Sequence, residues 1–201
     1  LNNILAGYYP NLYTLITNEK NLGYLKNCNS GIKQGSNDYV VLINSDTIAT
    51  AGYLEKVKAT FESDSRIGII NPVSTWANWT RIPFPDGYHI GELAAEVQGL
   101  SQKAVPDIRN ASGFFFACPR RLFEELGVFD EKYAPGYYEE TDFCMRALQA
   151  GHRVVVDDAL YVFHFGWGSF QAEGRDANMA RNREIFMAEW RSLYEPMEAA
   201  W

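Results

Sequence analysis

The stretch VVLINSDTIATAGYLEKV, residues 40–57, joins an apolar run to an acidic residue and then to a segment typical of a helix. The apolar run Tyr39–Ile43 has the length and composition of a buried strand. The polar residues Asn44, Ser45 and Asp46 follow it directly. Because ligands of open α/β sheets bind beyond the carboxyl ends of the strands, we expect these three side chains to face a crevice.

Strands and helices are predicted to alternate on both sides of this stretch. Upstream, residues 12–17 form an apolar run typical of a strand, and residues 22–32 have apolar positions at helical spacing. Downstream, residues 53–61 predict a helix and residues 67–72 a further strand. The alternation predicts an α/β fold with a mostly parallel central sheet and helices on both faces.

The second half of the chain begins irregularly and then returns to the same pattern. Prolines and glycines interrupt residues 72–111, apart from a helical segment at 91–100, and we interpret this part as a functional excursion. Strands and helices resume from residue 110, and an amphipathic helix is expected over 175–195. We therefore expect a single domain over residues 1–201.

Composition limits the classes of protein to which the chain can belong. The chain has 201 residues, 47% of them hydrophobic, which suffices for one core. The net charge of -7 argues against nucleic acid as a partner, because phosphate backbones require a basic face. The three cysteines are far apart and predict no disulfide framework, which favours a reducing, cytoplasmic compartment. No apolar run approaches the roughly 20 residues that span a bilayer.

Asp46 has two interpretations from its position alone. As a carboxylate at the crevice it would ligate Mg²⁺ or Mn²⁺, which would neutralise a diphosphate. Alternatively, Asp46 or Thr47 caps the following helix, as Asp and Thr commonly do. The stretch itself does not separate these two alternatives.

Two further groups of residues are candidates for chemistry. Glu139, Glu140 and Asp142 crowd the first turn of a predicted helix, where the helix dipole favours acids; one of them could instead serve as a general base. His164 follows a predicted buried strand and precedes a glycine-rich turn. A single histidine is more often a structural hydrogen-bonding group, but imidazole also binds metals and phosphates.

Four stretches, taken in chain order, resemble the family 2 glycosyltransferases. NEKNLGYLKNCNSGI (18–32) resembles the family's NxGxxxAxNxGI helix, and YVVLINSDT (39–47) resembles its strand ending in a DXD-type metal motif. Residues 110–154 resemble the acceptor-side segment with its GxFDE…EDxDxCxRxxxAG signature. VFHFGWGS (162–169) resembles the later HxxGxS stretch. The resemblance extends over nearly the whole chain, from about residue 18 to residue 194.

The resemblance implies a GT-A fold and an inverting, rhamnosyltransferase-like enzyme of bacterial surface polysaccharide synthesis. Such an enzyme moves a sugar from a nucleoside-diphosphate sugar to a saccharide or lipid-linked saccharide acceptor and uses Mg²⁺ or Mn²⁺. It implies a cytoplasmic protein, with association at the inner face of the membrane left open. The family usually begins with two nucleotide-binding strands that precede the first residue of this sequence, so we expect an N-terminally truncated domain.

The resemblance also suggests roles for individual residues. Asp46 would be the metal ligand, with His164 near the metal or the diphosphate. Asn44 takes the first acidic place of the DXD motif, and Glu140 takes the place of the general base. Glu139 and Asp142 would be further candidates for the base. Ser45, Gly113 and Trp76 would lie beside Asn44 and Asp46 at the donor.

Exposed aromatic rings in residues 72–111 suit hydroxyl-rich ligands, although loop packing explains them equally well. Trp76, Trp79 and Tyr88 would on the first interpretation shape the acceptor site. A different class of function also remains open: a non-catalytic GT-A-like domain that binds carbohydrate or a partner protein.

Overall fold

The computed structural model describes residues 14–77, 79–166 and 175–199. Its strands are β1 (Tyr39–Ile43), β2 (Thr47–Ala49), β3 (Ile67–Ser74), β4 (Phe115–Pro119) and β5 (Arg153–His164). Its α-helices are α1 (Gly23–Gln34), α2 (Tyr53–Ser63), α3 (Ile90–Leu100), α4 (Arg120–Leu126), α5 (Glu139–Gln149) and α6 (Arg175–Ala199), and a 3₁₀ turn covers Glu131–Tyr133.

The five strands form one sheet in the order β1-β4-β3-β5-β2. β3 and β5 are parallel, with Ile67 opposite Arg153 and Asn71 opposite Val156. The other described pairings, β1 with β4, β3 with β4 and β2 with β5, are antiparallel. The sheet is therefore mixed, with β1 and β2 at its two edges in the described part of the chain.

The prediction of a mostly parallel sheet is wrong for these strands. It assumed that every strand returns through a helical crossover, which is the connection that parallel neighbours need. β4 instead follows the excursion 72–111 and enters the sheet between β1 and β3 from the opposite end. β2 is short and follows β1 after a turn, and it pairs with the last part of β5.

Helices cover both faces of the sheet, as predicted. Adjacent residues of a strand point to opposite faces, so Ile69 and Ile70 belong to two different hydrophobic clusters. Ile69 packs with residues of α1, α4, α5 and α6, whereas Ile70 packs with Val57 and Phe61 of α2. A third, smaller cluster joins α3 to Tyr161 of β5.

Most predicted elements are present, with three local corrections. Residues 14–17 are not a strand, and the rest of the predicted strand 12–17 lies outside the described residues. β2 lies where a direct transition from Asp46 to a helix was expected. Residues 153–158 and 160–166, predicted as two strands, contribute to one strand, β5, whose register shifts opposite Pro72 and Val73.

None of the helices in the described residues is long and apolar enough to cross a bilayer.

Candidate functional site

The turn between β1 and β2 holds the polar residues that follow the first strand. The Thr47 hydroxyl donates to the carbonyl of Asn44 at 2.7 Å, which closes the turn, and Ser45 at its tip is exposed. The N-cap of α2 is Gly52, without a side-chain capping bond. The alternative that Asp46 or Thr47 caps this helix is therefore wrong, because β2 separates both residues from its start.

Asp46 and His164 are brought together by the pairing of β2 with β5. Thr47 lies opposite His164 in the ladder, and the N–H of Phe165 donates to the carbonyl of Asp46 at 3.0 Å. Oδ2 of Asp46 consequently lies 3.4 Å from Nε2 of His164. Both atoms are buried and have no hydrogen-bond partner among the described residues. Two potential metal-binding atoms thus meet at one place.

The carbonyl of Trp76 determines how the His164 ring presents its nitrogens. Nδ1 of His164 lies 2.8 Å from this carbonyl oxygen, which can only accept a hydrogen bond, so Nδ1 carries the proton. In the neutral ring Nε2 then has a free lone pair directed at Asp46, the form in which imidazole binds a metal. The hydroxyl of Thr75 donates to the carbonyl of His164 at 2.9 Å and accepts from the N–H of His164 at 3.0 Å, which holds the backbone of His164 in the same arrangement.

The Trp76 ring is 53% exposed and packs against Gly166. Gly166 has φ +70°, and a Cβ there would lie 2.7 Å from Cγ of Trp76. The Arg81 guanidinium lies 4.6 Å from the centre of the same ring.

The other two aromatic residues of the excursion, Trp79 and Tyr88, also have protein partners. Trp79 is 49% exposed and stacks with Arg109, while the hydroxyl of Tyr88 donates to Glu96 at 3.0 Å. The rings are partly packed and partly open to solvent.

Residues 112–115 connect the Asp46–His164 pair to the predicted base. The ring of Phe114 stacks on the ring of His164 with centroids 4.6 Å apart. The backbone carbonyl of Phe114 accepts from the N–H of Asn44 at 2.9 Å. The N–H of the preceding residue, Gly113, donates to the carboxyl of Glu140. One short segment thus contacts the metal-site candidates on one side and the candidate base on the other.

Glu139 and Glu140 form a paired carboxyl site at the start of α5. Their side chains hydrogen-bond to each other, and Glu139 is buried. Burial raises the pKa of both carboxyls, and the charge of Glu140 adds to the effect on the pKa of Glu139. Oε2 of Glu140 is buried without a hydrogen-bond partner among the described residues. Glu140 therefore has one buried oxygen that no donor of the described residues occupies, on a carboxyl whose pKa is raised.

The turn before α5 holds this pair in place. Tyr137 and Tyr138 have φ values of 76° and 73°, a left-handed conformation that is unfavourable for residues with side chains. The fully buried amide of Asn182 on α6 donates to the carbonyls of Tyr133, Gly136 and Tyr137 at 2.7, 2.9 and 3.0 Å. These bonds stabilise the strained turn from which Glu139 and Glu140 project.

Asp142 lies apart from this pair, in a buried network between α5 and α6. It accepts from Nε of Arg146 at 2.9 Å, from Nε1 of Trp190 at 2.9 Å and from the hydroxyl of Tyr133 at 3.3 Å. The Lys132 ammonium lies 3.6 Å away. A carboxylate with these partners anchors two helices, and its oxygens are already occupied by donors of the protein.

Two residues that the sequence did not single out hold the connecting segment. Tyr24 of α1 donates from its hydroxyl to the carbonyl of Gly113 at 2.7 Å. Asn71 of β3 donates to the carbonyls of Ser112 and Phe115. Asn71 had a recognisable signal, since a polar amide interrupts the buried run IGIINP. Tyr24 had none, because it lies at an ordinary helical position.

Comparison with known proteins identifies a family for this chain. The model described as Glycosyl transferase family 2 matches residues 2–127. The matched range includes Asp46 and Gly113 and ends before the carboxyl pair of α5. Among curated proteins, the uncharacterized glycosyltransferase YwdF of Bacillus subtilis (strain 168) is 26% identical over 184 residues. The match covers 89% of this chain and 63% of YwdF, so the chain spans less than two thirds of that relative.

Three solved structures with the same fold are distant from this chain in sequence. GalNAc-T7 with UDP, GalNAc and Mn²⁺ has a TM-score of 0.71 at 13% identity, over 96% of this chain and 40% of that one. The mannosyltransferase PcManGT from Pyrobaculum calidifontis, with GDP-Man and Mn²⁺, has a TM-score of 0.61 at 15% identity, over 98% and 59%. S. aureus TarS 1-349 has a TM-score of 0.52 at 15% identity, over 87% and 55%.

Proposed function

The chain belongs to glycosyl transferase family 2 and has the GT-A fold, and we propose that it transfers a sugar from a nucleoside-diphosphate sugar to a hydroxyl group of an acceptor, with inversion. The observation that carries the proposal is the Asp46–His164 pair, whose Oδ2 and Nε2 atoms lie 3.4 Å apart. The carboxyl pair of α5 is joined to it through Gly113 and Phe114. The proposed metal ligand His164 and the proposed base are thus both in contact with residues 113–114.

The residues present fit a divalent cation, Mg²⁺ or Mn²⁺. Asp46 would supply a carboxylate oxygen and His164 an imidazole nitrogen, both buried and without other partners among the described residues. No cluster of three or more His, Cys, Asp or Glu side chains suited to a metal occurs in the described part of the chain. Two protein ligands suit an ion whose remaining positions are taken by phosphate oxygens and water. When bound, the ion would neutralise charge on the leaving diphosphate.

Glu140 would act as the general base. Its Oε2 atom would accept the proton of the acceptor hydroxyl as that oxygen attacks the anomeric carbon from the face opposite the diphosphate. Burial raises the pKa of Glu140, which strengthens it as a proton acceptor, while the N–H of Gly113 stabilises the ionised form. Glu139 would share the proton of the pair. Asp142 is not proposed as the base, because three donors already occupy it.

The positions of the exposed and polar residues around the proposed metal ligands suggest where the donor and the acceptor would bind. Asn44, Ser45 and Asp46 would line the donor diphosphate at the end of β1. The expectation that Gly113 lets a sugar pass beside its backbone is not proposed, because a Cβ at Gly113 would lie only 2.9 Å from the hydroxyl of Tyr24, which fills that space. The exposed ring of Trp76 would contact a sugar at the edge of the excursion 72–111, which we assign to the acceptor. We propose a saccharide or lipid-linked saccharide acceptor of surface polysaccharide synthesis, reached from the cytoplasmic side of a membrane.

The first experiment is calorimetric titration of UDP and dTDP, with and without Mn²⁺, into the whole chain and its Asp46→Ala variant. Asp38→Ala is the matched control, because Asp38 precedes β1 and Asp46 follows it. Nucleotide binding that requires Mn²⁺, and that Asp46→Ala alone abolishes, would support the proposal. No binding of either nucleotide, or equal binding by both variants, would contradict the metal-dependent site and favour the carbohydrate- or partner-binding alternative.

The second experiment tests the base in a chain that binds nucleotide. Glu140→Gln is expected to lower the transfer rate by about 10²- to 10⁴-fold, the usual contribution of a general base, with little change in affinity for UDP and Mn²⁺. Glu62→Gln, on the surface of α2, is the control. Equal rates for Glu140→Gln and wild type would remove Glu140 from this role. The anomeric configuration of the product, read by NMR, tests inversion separately.

A further inference from the structure

Asn71 is a buried amide within the apolar run of β3. It lies on β3, where it is 2% exposed and is followed by Pro72, which has no backbone N–H. A buried amide is costly unless its donors and acceptor are satisfied. The hydrogen bonds of Asn71 therefore indicate why the strand contains a polar residue at this position.

Beyond the end of the β3–β4 ladder, the side chain of Asn71 makes the hydrogen bonds between β3 and the segment before β4. The described ladder has one registered pair, Ile70 opposite Ala117. Beyond it, Nδ2 of Asn71 donates to the carbonyls of Ser112 and Phe115, and Oδ1 accepts from the N–H of Ser112 at 3.2 Å. One side chain thus satisfies three backbone groups on the two sides of Gly113 and Phe114.

Gly113 and Phe114 are the residues of this segment that contact the proposed site. Gly113 donates its N–H to the carboxyl of Glu140, and Phe114 stacks on the ring of His164. Tyr24 holds the carbonyl of Gly113 from the other side at 2.7 Å. The backbone between Ser112 and Phe115 is therefore fixed at both ends and in the middle.

We propose that Asn71 is a positioning residue: it holds residues 112–115 so that the N–H of Gly113 meets Glu140 and the ring of Phe114 supports His164. Asn71 itself touches no reacting group. Its importance for sugar transfer rests on the function proposed above, whereas its effect on Glu140 can be measured without any transfer. Loss of the amide would loosen the segment and weaken the bond that stabilises the ionised carboxyl.

The test is a titration of the carboxyl pair by NMR, with ¹³C-labelled glutamate in the whole chain and assignment by Glu139→Gln and Glu140→Gln. Asn71→Leu is compared with Asn29→Leu. Asn29 is the matched control, because this buried amide also bridges backbone groups, donating to the carbonyl of Phe129 at 2.8 Å and accepting from its N–H at 3.0 Å. Those bonds join α1 to the loop after α4, away from residues 112–115.

In Asn71→Leu the titration of the pair is expected to move to higher pH by about one unit, since a hydrogen bond to the charged form is weakened. In Asn29→Leu it is expected to stay at the wild-type position. Equal positions in both variants, or equal displacements, would overturn the proposal. If wild type binds no nucleotide but Asn71→Leu still moves the titration, the proposed function fails and the positioning by Asn71 stands.

Amide hydrogen exchange in the wild-type chain provides a measurement that does not depend on folding of Asn71→Leu. The amides of Ser112 and Gly113 are expected to be protected to the level of the Phe129 amide, which Asn29 holds. Exchange of both amides as fast as that of Gly87, in an exposed turn, would overturn the proposal even if the variant does not fold.

Discussion

Oδ2 of Asp46 lies 3.4 Å from Nε2 of His164, and the opposite nitrogen of the imidazole is held by the carbonyl of Trp76 at 2.8 Å. In the neutral ring two lone-pair atoms therefore face each other without a proton between them. Such a contact is unfavourable by itself and becomes favourable when a cation lies against both atoms. The relationship links the polar turn after β1 to the end of β5.

Replacement of His164 by Asn is expected to weaken Mn²⁺-dependent UDP binding by at least about tenfold, because one of two protein ligands is lost. The measurement is the same calorimetric titration. His152→Asn is the control, since His152 contacts Glu125 at 3.3 Å before β5, at the other end of that strand. Equal losses in the two variants would show that the effect is not specific to the pair with Asp46.

The carboxyl pair is expected to make stability depend on pH. Burial, followed by the charge of Glu140, raises the pKa of Glu139 to about 9. Between the ordinary carboxyl pKa and pH 9 the folded state then binds more protons than the unfolded state. The contribution of Glu139 to the free energy of unfolding is therefore fully present below the ordinary carboxyl pKa and is lost as the pH rises towards 9. Near pH 9 the free energy of unfolding of Glu139→Gln should exceed that of wild type by about 1–2 kcal/mol. Near the ordinary carboxyl pKa this difference should disappear.

Urea unfolding at several pH values measures this difference. Glu62→Gln, in which an exposed ion pair with Lys58 at 3.7 Å is removed, should follow wild type at every pH. A difference between Glu139→Gln and wild type that is constant with pH would show that the carboxyl is not held protonated by burial.

Asp142→Ala is expected to destabilise the fold by about 3 kcal/mol or more, because it leaves buried donors of Arg146, Trp190 and Tyr133 without their acceptor. Urea unfolding measures the loss, and Glu195→Ala, which removes an exposed pair with Arg191, is expected to stay within about 0.5 kcal/mol. The folded Asp142→Ala chain should keep wild-type affinity for UDP and Mn²⁺. Loss of affinity without loss of stability would place Asp142 in the site instead.

Gly113→Ala is expected to destabilise the fold by about 1–3 kcal/mol, because its Cβ would lie 2.9 Å from the hydroxyl oxygen of Tyr24 and displace the segment. Gly99→Ala on α3, where a Cβ has nothing within 4 Å, should stabilise it by about 0.5–1 kcal/mol. Thermal unfolding of the two variants measures both changes. The same sign for both would show that the segment yields to the added methyl group.

Local patterns of the sequence determined most of the helices and strands. β1 has the predicted bounds Tyr39–Ile43, and α1 buries Leu25 and Ile32 as their spacing predicted. The start of α5 at Glu139 is also as predicted. These features depend on the periodicity of neighbouring residues, and periodicity is visible without the rest of the molecule.

Only the tertiary structure decided the strand directions and the partners of the polar residues. The sequence placed Glu139, Glu140 and Asp142 on one helical turn, yet the first two form a carboxyl pair and the third anchors α6. The meeting of Asp46 with His164 depends on the pairing of β2 with β5, and the role of Asn71 on the end of the β3–β4 ladder. Such contacts join residues far apart in the chain, so no local pattern specifies them.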